Sequence, residues 1–145
     1  MDLKIKTARL SVFSNTFLII IKLVAGLLTG SVSILSEAIH SGIDLIAAAI
    51  AFFAVKISSR APDKKHPYGH GKFENISGVI EGLLIFLAAF WIIYEAVHKI
   101  IYPTEVKMFL LAGSVMLISA VVNFFVSRRI YKVARDTHSI ALEAD

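Results

Sequence analysis

Apolar residues run along this chain in four long blocks, residues 10–28, 33–57, 73–102 and 107–133, separated by short polar stretches. A helix needs about 20 such residues to cross a hydrocarbon core, so the pattern predicts four membrane-spanning helices. Residues 29–32, with Gly30 and Ser31, mark a tight turn between the first two blocks. Pro103 and Thr104 break the chain between the third and fourth. The one substantial polar stretch, residues 58–72, holds Pro62, Pro67, Gly69 and Gly71 and cannot be a continuous helix. Residues 139–145 open a new amphipathic stretch and then stop. They read as the first turns of a further helix in a fragment of a longer chain, the alternative being a tail that packs only against a partner.

Composition agrees with the pattern. Of 145 residues, 57% are hydrophobic and 18% charged, and the mean hydropathy is +0.74. A soluble domain carries more charge, so the chain reads as an all-α polytopic membrane protein. The net charge of +4 could suggest nucleic acid, but the basic residues sit at the ends of apolar blocks and form no basic face. They mark topology instead. Lys4, Lys6 and Arg9 precede the first block, and Lys56, Arg60, Lys64, Lys65 and Lys72 surround the long loop. Arg128, Arg129, Lys132 and Arg135 leave the fourth block, whereas the other two connections have only Lys99 and Lys107. The positive-inside rule then puts both termini and the 58–72 loop in the cytoplasm. Cysteine is absent, so disulfides and thiolate metal sites are excluded. The first block is too long for a signal-peptide core.

Against this background, ionisable residues inside the blocks carry the chemistry. His40 and Asp44 lie four residues apart in the second block, and Glu37 precedes His40 by three. On a helix these three share one stripe. Charge in hydrocarbon is costly and usually marks an ion or proton pathway. An imidazole and a carboxylate on one face can close on one divalent ion, suiting Zn(II), Cd(II), Co(II) or Fe(II) better than Mg(II) or Ca(II). Zinc wants four ligands and one helix face supplies two. The competing explanation is a buried His–Asp hydrogen bond that only locks helix packing. Ser33, Ser36, Ser41 and Gly42 are small residues that let another helix come close.

The loop offers a second set, Asp63, His66 and His70, within eight residues. Three ligands suit a zinc site with one exchangeable position. The competing explanation is a solvated basic loop whose histidines meet lipid headgroups. Glu81, in line with Glu74 and Gly78 on the third block, either relays protons or satisfies a donor on a neighbouring helix, the second being preferred. For Glu37, as for Glu81, a proton role or support of the ligands is the further option. Ser119, Asn123 and Ser127 form a polar stripe read as interhelical glue. Lys22 is expected to snorkel outward, and Trp91, Tyr94 and Tyr102 to form an interfacial belt.

At Gly30-Ser-Val-Ser-Ile-Leu35, His40-Ser-Gly-Ile-Asp44 and Asp63-Lys-Lys-His-Pro-Tyr-Gly-His-Gly-Lys72, the chain resembles the cation diffusion facilitator family of divalent-metal transporters. The resemblance implies a six-helix transmembrane domain, of which residues 1–145 would be an incomplete part: four helices and the start of a fifth. It implies that His40 and Asp44 join a similar pair on the fifth helix, expected just beyond Asp145, in a tetrahedral transport site. Histidine in the first place resembles the zinc-transporting members, and aspartate there the broader-range or Mn(II) members. Asp63, His66 and His70 resemble the second, cytoplasmic site, and Lys72 a lysine that makes a salt bridge near the dimer interface. The implied function is export of zinc or a similar ion from the cytoplasm of a prokaryotic cell, by metal/proton antiport in a homodimer. Imidazole generally titrates near pH ~6.5, and metal binding displaces its proton, which supplies a coupling. The partners are then the metal ion, protons and the bilayer, with no enzymatic role and no nucleic acid. The rival is a non-transporting subunit that senses or buffers metal through the loop.

Overall fold

A computed structural model describes residues 3–103 and 109–145. Four long helices run up and down: α1 (Leu3–Thr29), α2 (Val32–Ser58), α3 (Lys72–Ile101) and α4 (Phe109–Thr137), followed by a short α5 (Ile140–Ala144). All four long helices have the length and apolarity to span a membrane. The chain is an integral membrane protein. One end of the bundle, the loop end, carries the start of α1, the 59–71 loop and the end of α4. The other, the turn end, carries Gly30 and Pro103.

The α1–α2 hairpin is tight for local reasons. Gly30 sits at φ +61°, a left-handed conformation that a side chain disfavours. The Ser31 hydroxyl caps α2 by accepting from the Ile34 N–H at 3.5 Å. At Gly26 the helices nearly touch: an added Cβ would lie 2.8 Å from Leu35 Cδ2. Gly42 similarly leaves room for Ile19 on α1, with an added Cβ at 3.5 Å from its Cδ1. From this hairpin, α1 also packs on α4, and α2 on α3, while α5 touches α2, α3 and α4.

The buried apolar core lies at the loop end. Ala8 of α1, Ala51, Ala54 and Val55 of α2, Ile130, Val133 and Ala134 of α4, and Ala141 and Leu142 of α5 pack together. Small side chains dominate, as close helix approach in lipid requires. By contrast α3 buries only Glu74, Ser77 and Glu81 among its residues and exposes Phe86, Phe90 and Ile93 outward. Its inner face is polar and its outer face suits lipid.

The helices overrun the apolar blocks at the loop end. α1 begins at Leu3, two turns before the apolar block, and α4 continues to Thr137. Backbone hydrogen bonding continues where apolarity stops, so hydropathy alone places these ends too far in. Thr104 and Lys107, assigned to the third connection and the fourth span, lie outside the described residues.

Residues 139–145 do not fit the alternative of a tail that packs only against a partner. They do not wait for a partner: Ser139, Ala141 and Leu142 are buried against the chain's own helices. α4 ends with His138 at φ +50°, the Ser139 N–H bonding the Ala134 carbonyl at 3.0 Å and the His138 N–H reaching the Arg135 carbonyl at 3.4 Å. This is the Schellman closure, with histidine where glycine is usual. It turns the chain back into the bundle.

Candidate metal sites

The loop site is assembled from its own sequence. Asp63 Oδ1 accepts the backbone N–H groups of Lys65 at 2.8 Å and His66 at 2.7 Å, an Asx turn that folds the segment back on itself. Gly69 at φ +85° completes the reversal, its N–H bonding the His66 carbonyl at 3.0 Å. His66 Nδ1 thereby lies 3.2 Å from Asp63 Oδ1, and His70 Nε2 lies 3.4 Å from Asp63 Oδ2. All three ligand atoms fall within 4.8 Å of one another, so the group can hold a metal ion. A tetrahedron with bonds of ~2 Å has edges of ~3.3 Å, so the group needs only a small contraction to close on an ion. His70 is 6% exposed and stacks on Phe73 with ring centroids 6.0 Å apart. That burial does not fit a His70 free for headgroups, whereas His66 is exposed. The His66 backbone N–H, aided by that of Lys65 and the His66 ring, holds the Asp63 carboxyl below the ordinary carboxylate range. Asp63 is therefore charged and ready as a ligand.

The intramembrane pair is arranged differently. His40 and Asp44 stand one turn apart on α2, but they open into separate cavities. A cavity of about 400 Å³ towards the turn end is lined by Ser36, Glu37, His40, Trp91, Glu95 and Lys99. A second, of about 270 Å³ towards the loop end, is lined by Asp44 with Ser11, Asn15, Asn123, Ser127 and Asp145. No His40–Asp44 hydrogen bond forms among the described residues, and His40 Nδ1 is buried without a partner. The packing-lock explanation of this pair therefore lacks its bond.

Three expectations are corrected. Lys22 does not snorkel: it is 4% exposed and donates to Glu37 Oε1 at 2.9 Å and Ser41 Oγ at 2.6 Å. Glu37 was the nearer counter-charge, so the ammonium turns into the bundle. Glu81 finds no donor on a neighbouring helix: it is 1% exposed, and both carboxylate oxygens lack a partner among the described residues. The α4 polar stripe is not glue: Asn123 and Ser127 face the loop-end cavity, and the Ser119 hydroxyl is buried without a partner. Trp91, Tyr94 and Tyr102 are exposed near the turn end, as a belt requires, although Trp91 also lines a cavity. Lys72 opens α3 with its side chain exposed.

Two arrangements went unseen in the sequence. Lys22 and Glu37 lie at nearly equal distances from the Gly30 turn, the register at which antiparallel helices pair, so the signal was present. Glu74 gathers Lys4 of α1 at 3.3 Å, the Ser58 hydroxyl of α2 and the Ser139 hydroxyl before α5. That junction joins distant segments, and no local pattern announces it.

The cation efflux transmembrane domain family matches residues 8–145. An uncharacterized transporter of Methanocaldococcus jannaschii is 36% identical over 136 residues, 94% of this chain and 48% of that protein. The manganese efflux system protein MneP of Bacillus subtilis is 31% identical over 104 residues, 72% of this chain and 35% of its own length. The metal cation efflux system protein CzcD of Cupriavidus metallidurans is 36% identical over 94 residues, 65% of this chain and 29% of its own. The chain thus spans less than half the length of each of these relatives.

Proposed function

The chain belongs to the cation diffusion facilitator, or cation efflux, family, and on that premise we propose that it forms part of the transmembrane domain of a divalent-metal exporter. Zinc is the preferred cargo, carried out of the cytoplasm in exchange for protons. The observation that supports this best is the placement of His40 and Asp44. They are adjacent on one helix face, yet His40 opens towards the turn end and Asp44 towards the loop end. A metal shared by the two could be loaded from one side and released to the other, and protons would replace it on the imidazole. The positive-inside bias makes the loop end cytoplasmic. Two further ligands would come from beyond the described helices, as the family resemblance implies. In this reading Asp63, His66 and His70 form an accessory cytoplasmic site, and Lys72 reaches an acidic partner near a homodimer interface. Among relatives, the name of MneP concerns manganese, so Mn(II) belongs in any test alongside Zn(II), Cd(II), Co(II) and Fe(II).

A second reading draws on the completeness of the loop site within this chain: a membrane subunit that senses or buffers metal without moving it. Proteoliposome flux of the full-length protein, zinc against manganese with a metal-sensitive dye inside, separates the two. Zinc flux that collapses a pH gradient supports the exporter. Tight loop binding with no flux favours the sensor.

A further inference from the structure

Glu37-Ala-Ile-His40 is a Glu-x-x-His sequence on a helix, and that i, i+3 spacing is itself a metal-chelating arrangement when it faces a bundle interior. Here both residues line the same turn-end cavity, whereas Asp44 lines the other. His40 Nδ1 has no partner, and the Glu37 side chain is 36% exposed. On α2 itself an ion held by His40 therefore meets two carboxylates, one a turn before it and one a turn after, while Glu95 across the cavity is paired with Lys99 at 2.8 Å. What distinguishes the two on α2 is a direct ion pair with Lys22, which Glu37 makes. Its ammonium is 4% exposed, lies 2.9 Å from Glu37 Oε1 and is held there by Ser41 Oγ at 2.6 Å.

We propose that Lys22 is a tethered counter-cation that keeps Glu37 out of the metal's coordination sphere, so that His40 coordinates with Asp44 and not with Glu37. The inference rests on the transport site proposed above. A protonated amine offers no lone pair, so Lys22 cannot itself be a ligand. It can only compete with the metal for the carboxylate. It also removes one negative charge from a low-dielectric region, where a dication facing two free carboxylates would be held too firmly to leave. Lys22 is thus a positioning residue, acting through Glu37. Ser41 serves the same end by anchoring the ammonium from within the ligand helix.

The test uses the full-length protein with the loop site removed by Asp63→Ala, measuring zinc affinity by competition with a fluorescent chelator and zinc flux in proteoliposomes. Lys22→Met is expected to bind zinc about tenfold more tightly and to transport it about tenfold more slowly. Adding Glu37→Gln to Lys22→Met is expected to return both quantities to within about threefold of the parent, because the double change removes the Glu37 charge that Lys22 had held. A purely structural ion pair gives the opposite sign: weaker binding in Lys22→Met and no rescue. Affinity that is unchanged or weaker in Lys22→Met, or a double variant that keeps the single variant's behaviour, overturns the proposal. If Lys22→Met does not fold, Ser41→Ala decides, with affinity expected to rise about twofold to threefold and no rise overturning the proposal. His40→Ala is the control for the underlying site. If it leaves zinc affinity intact, the transport-site reading fails and this role fails with it. If it abolishes binding while Lys22→Met changes nothing, only the masking role is lost.

Discussion

The loop and the second helix each present histidine and aspartate, yet one is a closed constellation and the other an open pair. In the loop, Asp63, His66 and His70 converge within 4.8 Å because a polar chain in water can fold back on its own backbone. The Asx turn at Asp63 and the left-handed Gly69 suffice. On α2 the backbone is committed to a helix by the membrane, where every N–H must bond internally. A helix face spaces its ligands a turn apart, and Glu37 and Asp44, ~10 Å apart along α2, cannot both close on one ion with His40. In the proposed transport site the remaining ligands come from other helices, and Lys22 occupies the other carboxylate on the stripe. A site in water can thus be local, whereas a site in lipid has to be shared.

The sharpest way to break this comparison is to remove one aspartate from each region of the full-length protein. Asp44→Ala is expected to lower zinc flux at least ~100-fold, since nothing on α2 can take its place in the loop-end cavity. Asp63→Ala is expected to weaken loop binding by ~10–100-fold and leave flux measurable. Dye-based flux and equilibrium zinc binding, read on both variants, check the division. Equal loss of flux in the two would show that the sites work as one.

A smaller effect is expected at Glu74, which connects the regions without belonging to either. Its carboxylate, largely buried, accepts from Lys4, Ser58 and Ser139. Glu74→Gln loses charge-assisted bonds and is expected to cost ~2 kcal/mol, seen as a lower melting temperature in detergent. Because Ser139 precedes α5, flux should fall several-fold as well. Loop zinc affinity, which depends on residues 63–70, should not change. A loop site that weakened in Glu74→Gln would tie the two regions together through α3.

Residues 63–70 and the Glu74 junction also mark the limit of what the sequence discloses. The four spans, the hairpin at Gly30 and the loop's breaks follow from hydropathy and from glycine and proline chemistry, which are local. The loop triad was visible because its ligands are sequence neighbours. The destination of each buried charge was not visible. Lys22 could equally snorkel or turn inward until the register of α1 against α2 was known, and Glu81 could not be assigned a donor from α3 alone. The closure at His138 was hidden because histidine stands where the glycine signal would be.

A gentler probe of the loop is pH. The lowered Asp63 carboxyl is charged throughout the range in which imidazole generally titrates. Its folded pKa lies below the unfolded value, so its support of the turn is fully present above the ordinary carboxylate range. That support is lost only as pH falls through the lowered value. The Lys65 amide signal is therefore expected to hold its position while Asp63 is ionised and to move only as pH falls below the ordinary carboxylate range. Asp63→Asn is then expected to weaken loop zinc binding and to abolish the low-pH step in the Lys65 amide signal, because the carboxyl that titrates is gone.

The smallest expected effect lies at His138, where the chain is turned to bring α5 towards the open pair. A left-handed conformation costs a non-glycine residue ~1–2 kcal/mol, and glycine's extra freedom in the unfolded chain gives back ~0.5–1 kcal/mol of that. His138→Gly should therefore gain about 0.5 kcal/mol, a rise of about 1–2 °C in melting temperature for a chain this size. His138→Ile, β-branched at φ +50°, should lower it instead. Neither change touches a ligand, so loop affinity should be constant in both. If His138→Gly melts lower than the parent, the imidazole is making a contact that outweighs the backbone strain. The launch of α5 would then depend on a side chain, as the loop site does, and not on backbone closure alone.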